Sequence, residues 1–190
     1  MWCYKLLPDL PNLPVEIQQQ IIAPGRDSQV QNPFVLGSSH GRLLYKHNQE
    51  PYGRSTAFAN RSVDPEVETW VKENITDSYV RVSACATDPG FEHSGPHRDQ
   101  SRDFALIYLL TTGSDQAVTR FWDLKTPDIL ENYYSDYSKL VLVDELKSQP
   151  YQWYIMDAKK IHSVENIREG RTSLQISLTH DHMVNVLSSR

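Results

Sequence analysis

This chain has 190 residues, of which 23% are charged and 10% aromatic, and its 19 basic and 24 acidic side chains give a formal net charge of −5. That composition is typical of a folded globular domain and argues against a broad nucleic-acid interface, and two cysteines, Cys3 and Cys85, exclude a disulfide framework. The longest apolar run, residues 104–110, is too short for a membrane helix, which needs about 20 residues, and the proline-rich start does not fit a signal peptide, so we expect a cytoplasmic protein with no membrane partner.

Two short helices are predicted in the first part of the chain, residues 1–76. Pro14 fits the first turn of a helix that runs to about Ile22. Asp64-Pro65-Glu66 fits the N-cap and acidic first turn of a second helix. The polar stretch 26–61 between them is long for a structureless loop, so we expect part of it to be ordered or functional.

From residue 79 onward the pattern changes to strands separated by turns. The last strand alternates most clearly, because Leu174, Ile176 and Leu178 share one face and polar residues the other. The segment 126–138, rich in Tyr and Asp, is predicted as a loop or short helix at the rim of the β-structure. The predicted strands cover residues 79–86, 104–111, 117–122, 140–143, 152–156 and 171–179.

Many short strands without alternating helices predict a mainly β fold, a jelly-roll or barrel. We expect a single domain over residues 1–190. In this domain residues 1–76 form supporting helices and loops, and residues 79–180 form the β core.

The β region contains a metal-site pattern. In His97-Arg98-Asp99, residues i and i+2 of an extended segment point to the same side. An imidazole and a carboxylate can therefore reach one ion. His162, next to the strand predicted over 152–156, offers a second imidazole. Two histidines and one carboxylate, with half of the coordination sphere open, form the arrangement of non-haem Fe(II) oxygenases.

A carboxylate clamp is predicted on the last strand. Arg171 and Ser173 share one face there and could hold a carboxylate through charge-assisted hydrogen bonds. Tyr108 offers a phenol within the apolar run. A 2-oxo acid that takes two of the open metal positions needs such an anchor for its far carboxylate, and O₂ can take the third position.

Taken in order, these segments resemble the 2-oxoglutarate/Fe(II)-dependent dioxygenase superfamily, and within it the prolyl-hydroxylase-like branch. The matching segments are His97–Asp99, 104–110, 162–164 and 170–173, and the resemblance covers roughly residues 79–180. It implies a double-stranded β-helix, related in shape to jelly-rolls and cupins.

The resemblance also implies a role for each matched residue. Three would bind Fe(II): His97, Asp99 and His162. Three would bind the C5 carboxylate of 2-oxoglutarate: Arg171, Ser173 and Tyr108. The implied reaction is hydroxylation with O₂ and release of succinate and CO₂, with ascorbate as a supporting reductant. No catalytic residue is expected beyond the iron ligands.

The expected substrate is an amino acid, a protein side chain or a small metabolite. We expect selectivity to reside in the segments 26–61 and 126–138, because long segments outside the β core often serve as binding loops. Beside the metal motif, two arginines could receive an acidic substrate. The candidate substrate contacts are Arg98, Arg102, Trp122, Tyr52, Arg54 and Tyr134.

Two other classes fit part of the pattern. A cupin-like metal-dependent isomerase or hydrolase would use the metal without needing Arg171 and Ser173. A catalytically silent β-helix binding module would keep the fold and lose the affinity for iron. His180-Asp181-His182 repeats the His-x-Asp spacing, but we interpret it as the exposed end of the last strand.

Overall fold

A computed structural model describes residues 2–22, 58–87, 94–126, 134 and 136–188. No helix in these ranges is long and apolar enough to cross a bilayer. The elements in chain order are β1 (Tyr4–Leu6), α1 (Val15–Ile22), β2 (Phe58–Ser62), α2 (Pro65–Asn74), β3 (Arg81–Thr87), β4 (Ser94–His97), β5 (Phe104–Thr112), β6 (Val118–Leu124), a 3₁₀ turn (Tyr137–Lys139), β7 (Leu140–Leu146), β8 (Trp153–Asp157), β9 (Ile161–Glu165), β10 (Arg171–Leu178) and α3 (His180–Ser188).

The strands form two antiparallel sheets. The large sheet has six strands in the order β1-β8-β5-β10-β3-β2, and the small sheet has four in the order β4-β9-β6-β7. The chain passes from the large sheet to the small one after β3, β5 and β8, and it returns to the large sheet after β4, β7 and β9. The prediction of a mainly β architecture is confirmed, and the two sheets are compatible with a jelly-roll.

The helices cover one face of the large sheet. Alternate residues of a strand point to opposite faces, and Leu174 and Ile176 of β10 pack on this face with Leu106 and Tyr108 of β5. Desolvation of these side chains is the main force that holds the helices to the sheet. The helical residues buried in the same cluster are Ile17, Ile21, Val67, Val71, Met183 and Val186.

The other face of the large sheet meets the small sheet. Apolar residues of β5 and β8 pack here with Phe121 of β6 and Leu146 of β7. On the same face β10 presents polar residues, because Ser173 pairs with Leu109 and Gln175 pairs with Ile107. The space between the sheets is therefore apolar beside β5 and β8 and polar beside β10.

Both predicted helices of the first part of the chain are present as α1 and α2. The prediction of a strand end at His180-Asp181-His182 is wrong, because these residues begin α3. Thr179 explains the change of structure: its hydroxyl accepts a hydrogen bond from the backbone N–H of His182 at 3.4 Å, which is a typical N-cap interaction. The supporting helices are therefore not confined to the first part of the chain.

Candidate metal centre

The structure brings the three predicted metal ligands together between the two sheets. His97 ends β4 and pairs with His162 of β9, with the two ring centroids 4.4 Å apart. Asp99 follows two residues later, and its backbone N–H donates to the carbonyl of Ala158 at 2.9 Å. One potential ligand atom from each of the three side chains lies within 4.8 Å of the others, and all three residues are buried.

Backbone carbonyls determine which ring nitrogen of each histidine faces this cluster. Nδ1 of His97 lies 2.8 Å from the carbonyl oxygen of Gly95, and Nδ1 of His162 lies 2.9 Å from that of Lys160. A carbonyl oxygen only accepts hydrogen bonds, so each Nδ1 carries the proton and each Nε2 carries the lone pair. This is how metal-binding histidines are usually oriented.

The electrostatics keep the imidazole of His162 neutral. Burial is the largest cause, and the neighbouring His97 adds to it; together they lower the pKa of His162 to about 3, although Asp99 and the carbonyl of Lys160 act in the opposite direction. A neutral imidazole is the form that binds metals. At neutral pH His162 is therefore already in the ligand form.

Asp99 is held as a carboxylate. Burial by itself raises the pKa of Asp99, but the Arg102 guanidinium and the two nearby imidazoles outweigh it and hold that pKa well below its usual range. The Nε of Arg102 donates to Oδ2 of Asp99 at 2.6 Å. The other oxygen, Oδ1, lies 3.8 Å from Nε2 of His97.

These groups fit a divalent metal ion. Two Nε2 lone pairs and one anionic oxygen make a donor set of two histidines and one carboxylate, which suits Fe(II) or Zn(II) and leaves further coordination positions for other ligands. The residues that could hold the ion are His97, Asp99 and His162.

Arg171 and Ser173 lie on the same strand and the same face, as predicted from their spacing. Nη2 of Arg171 donates to the phenol oxygen of Tyr154 at 3.5 Å, and Nη1 lies 3.4 Å from the carbonyl oxygen of Thr112. Among the described residues, no carboxylate lies within ion-pair distance of Arg171. A half-buried guanidinium that has no carboxylate partner among the described residues is a favourable place for an anionic ligand.

Tyr108 lies on the opposite face of the large sheet from these two residues. It pairs with Leu174, belongs to the cluster under the helices, and its hydroxyl donates to Oδ1 of Asn12 at 3.3 Å. The structure therefore does not bring Tyr108 to Arg171 and Ser173. Successive residues of a strand alternate between faces, and Tyr108 and Leu109 are on different sides of this sheet.

Tyr154 was missed by the sequence reasoning and supplies the phenol beside Arg171. It is 1% exposed and belongs to the cluster between the sheets. Its oxygen accepts from Arg171, so its own hydrogen can be donated, and the described part of the chain places no acceptor in reach of it. No sequence signal identifies it, because all five residues of β8 are buried and show no alternation.

Thr119 is a second residue that the sequence analysis missed. It lies in β6, two residues from Phe121, and pairs with Val164, two residues beyond His162. Its Oγ1 is buried and has no hydrogen-bond partner among the described residues. Buried hydroxyls are nearly always satisfied, so this oxygen is available to a polar ligand between the sheets.

Two predicted substrate contacts lie on the outer face of the small sheet. Trp122 pairs with Ile161, whereas Phe121 pairs with His162, so the Trp122 and His162 side chains point to opposite faces. The indole Nε1 of Trp122 donates to Ser163 Oγ at 2.9 Å. Tyr134 is buried in the same outer cluster. The side chains of Trp122 and His162 thus lie on different faces of the small sheet, and contact of Trp122 or Tyr134 with a substrate stays a prediction.

The other four candidate substrate contacts are two arginines next to the metal cluster and two residues of the segment 26–61. Arg102 donates to Asp99 and Gln175, so its guanidinium is already engaged by two protein acceptors, and its contact with a substrate stays a prediction. Arg98 stands between His97 and Asp99 in the sequence, and it is half-buried. Tyr52 and Arg54 lie outside the described residues.

Comparison with known proteins adds little to this geometry. No protein-family model matches the chain, and no curated protein matches it. Among solved structures, the chain is similar to an oxidoreductase of the 2OG-Fe(II) oxygenase family from Burkholderia pseudomallei, at 13% identity and a TM-score of 0.34, over 75% of this chain and 52% of that one. The chain thus matches about half the length of that protein. Likeness at this level does not identify a function.

Proposed function

We propose that this chain is a non-haem Fe(II)- and 2-oxoglutarate-dependent dioxygenase with a double-stranded β-helix core, of the prolyl-hydroxylase-like branch. Its substrate would be an amino acid, a protein side chain or a small metabolite. The observation that carries the proposal is the buried cluster of His97, Asp99 and His162, in which both imidazoles present Nε2 and the carboxylate is ionised.

These three residues would hold the iron. When bound, Fe(II) supplies the activation of O₂, coupled to the oxidative decarboxylation of 2-oxoglutarate and the hydroxylation of a C–H bond. The protein's contribution is to orient the ligands: the carbonyls of Gly95 and Lys160 hold the two rings. The surrounding apolar residues of β5 and β8 exclude water from one side of the cleft.

The binding site of the 2-oxoglutarate C5 carboxylate would be at Arg171. The chain crosses between the sheets after β5, to begin β6, and after β9, to begin β10. Both new strands therefore begin at the same end of the cleft, where Thr119 of β6 and Arg171 of β10 lie. Arg171 would supply charge and Tyr154 a hydroxyl hydrogen. Ser173 lies two residues after Arg171 on β10, nearer to Gln175 and the metal cluster. Its hydroxyl would donate to the same carboxylate.

The carboxylate site distinguishes this proposal from the other classes. A zinc hydrolase or cupin-like isomerase could use the same three ligands. Neither requires a guanidinium at the far end of the cleft that, within the described part of the chain, has no carboxylate partner. A silent binding module requires neither the ionised carboxylate nor the oriented imidazoles. The combination of both features favours the dioxygenase.

The direct test is turnover of 2-oxoglutarate. Purified protein is supplied with Fe(II), ascorbate, O₂ and 2-oxoglutarate, and succinate is measured with and without candidate substrates. We expect succinate from the natural chain and none from His162→Ala. Arg120→Ala is the matched control, because Arg120 pairs with Glu145 and Glu165 on the outer face of the small sheet. No succinate from the natural chain, with Fe(II) bound, would contradict the proposal.

A further inference from the structure

Arg102 connects the candidate metal ligand Asp99 to the strand that carries the candidate carboxylate clamp. Its Nε donates to Asp99 Oδ2 at 2.6 Å, and its Nη1 donates to Gln175 Oε1 at 2.9 Å. The side chains of Arg102 and Asp99 are only 16% and 9% exposed. Such a pair is weakly screened by solvent, so its geometry is strongly held.

The contact with Arg102 occupies one of the two carboxylate oxygens. A carboxylate with both oxygens available can bind a metal through both, and then fills two coordination positions. Here Oδ2 is engaged by Arg102, whereas Oδ1 lies 3.8 Å from Nε2 of His97 and faces the cluster. Asp99 is thereby arranged to offer a single oxygen.

We propose that Arg102 is a positioning residue that holds Asp99 as a one-oxygen metal ligand and so keeps a coordination position open for the co-substrate. The inference rests on the proposed function. It assigns to Arg102 a role that differs from the substrate contact predicted from sequence.

Gln175 extends the same arrangement toward Ser173. Its Nε2 donates to Ser173 Oγ at 3.3 Å, while its Oε1 accepts from Arg102. The hydrogen-bonded series therefore runs from Asp99 through Arg102 and Gln175 to Ser173, and it fixes the position of the Asp99 side chain relative to β10. A planar guanidinium can bond two acceptors in fixed directions, which the point charge of lysine cannot do.

The test uses Co(II) as a spectroscopic probe on the full chain after removal of metals with a chelator. Affinity is measured by calorimetry, and the coordination of Co(II) by its visible absorption bands. The variants are Arg102→Ala and Arg102→Lys, and the matched control is Arg120→Ala, which removes another arginine that bridges two acceptors. Circular dichroism checks that each variant is folded.

We expect Arg102→Ala to bind Co(II) about 10- to 100-fold more weakly, as for other residues that orient metal ligands, with altered absorption bands. Arg102→Lys should show a smaller loss with altered bands, and it decides the question if Arg102→Ala does not fold. Arg120→Ala should match the natural chain in both measurements.

Two results would overturn the inference. If the natural chain binds Co(II) and folded Arg102→Lys has the same affinity and bands, then Arg102 does not position Asp99, and the proposed function stands. If the natural chain binds no Co(II), then there is no metal site to position, and the proposed function fails as well.

Discussion

A pair of tyrosine-to-phenylalanine substitutions tests which phenol serves the candidate oxo-acid site. Tyr154 is buried between the sheets beside Arg171, and Tyr108 is buried under the helices on the other side of the large sheet. Each substitution removes one hydroxyl and leaves the ring, so packing changes little. The two variants therefore differ mainly in the place from which the hydroxyl is lost.

The expected magnitude follows from the partners of each hydroxyl. A hydrogen bond to a charged group contributes about 1.5–3 kcal/mol, so Tyr154→Phe should weaken 2-oxoglutarate binding roughly 10- to 150-fold. The hydroxyl of Tyr108 donates to the Asn12 side chain at 3.3 Å. Its loss should reduce the free energy of unfolding by about 0.5–1.5 kcal/mol and leave 2-oxoglutarate binding unchanged.

The assay is calorimetric titration of 2-oxoglutarate into Mn(II)-loaded protein, which measures binding without turnover. Urea unfolding of the same two variants measures the change in stability. If Tyr108→Phe weakened 2-oxoglutarate binding and Tyr154→Phe did not, the assignment of faces would be wrong, and the carboxylate site would lie elsewhere.

Three further outcomes are expected. His162→Ala should lose measurable Co(II) binding while the circular dichroism stays native, and unchanged affinity would remove His162 from the site. Gly113→Ala should lower the free energy of unfolding in urea by about 1–3 kcal/mol, because φ is +87° there and a Cβ would lie 2.8 Å from Cγ2 of Ile167 and 3.1 Å from Cβ of Arg171; an equally stable variant would show that this turn relaxes. Burial raises the pKa of Cys85 from an ordinary value of 9.0 to about 11, so the unfolded chain loses this proton first. Between pH 7.5 and pH 10 the free energy of unfolding of the natural chain should therefore fall by about 1.3 kcal/mol more than that of Cys85→Ala. Parallel pH profiles of the two proteins in urea would refute that burial effect.

The parts of the site that depend on local spacing could be predicted from the sequence. His97 and Asp99 are two residues apart, and so are Arg171 and Ser173, and a period of two is enough to put each pair on one side of an extended segment. The sequence of β10 alternates clearly enough to identify its polar face without knowledge of the neighbouring strands. The helices α1 and α2 begin where prolines and an acidic first turn predict them.

The faces of β5 and β8 could not be predicted. The first seven residues of β5, Phe104 to Leu110, are all buried or half-buried and show no alternation. All five residues of β8 are buried. A strand covered on both sides carries no periodic signal. The sequence alone therefore could not tell that Tyr108 faces the helices or that Tyr154 faces Arg171.

The amino-acid sequence by itself determined the mainly β architecture, the types of the candidate metal ligands and the polar face of the last strand, because each depends on short-range order along the chain. Only the tertiary structure decided which side of each buried strand faces the cleft, and that Arg102 meets Gln175, 73 residues away. Those contacts arise when two sheets pack together, and packing depends on the shapes of both surfaces rather than on the spacing within either one.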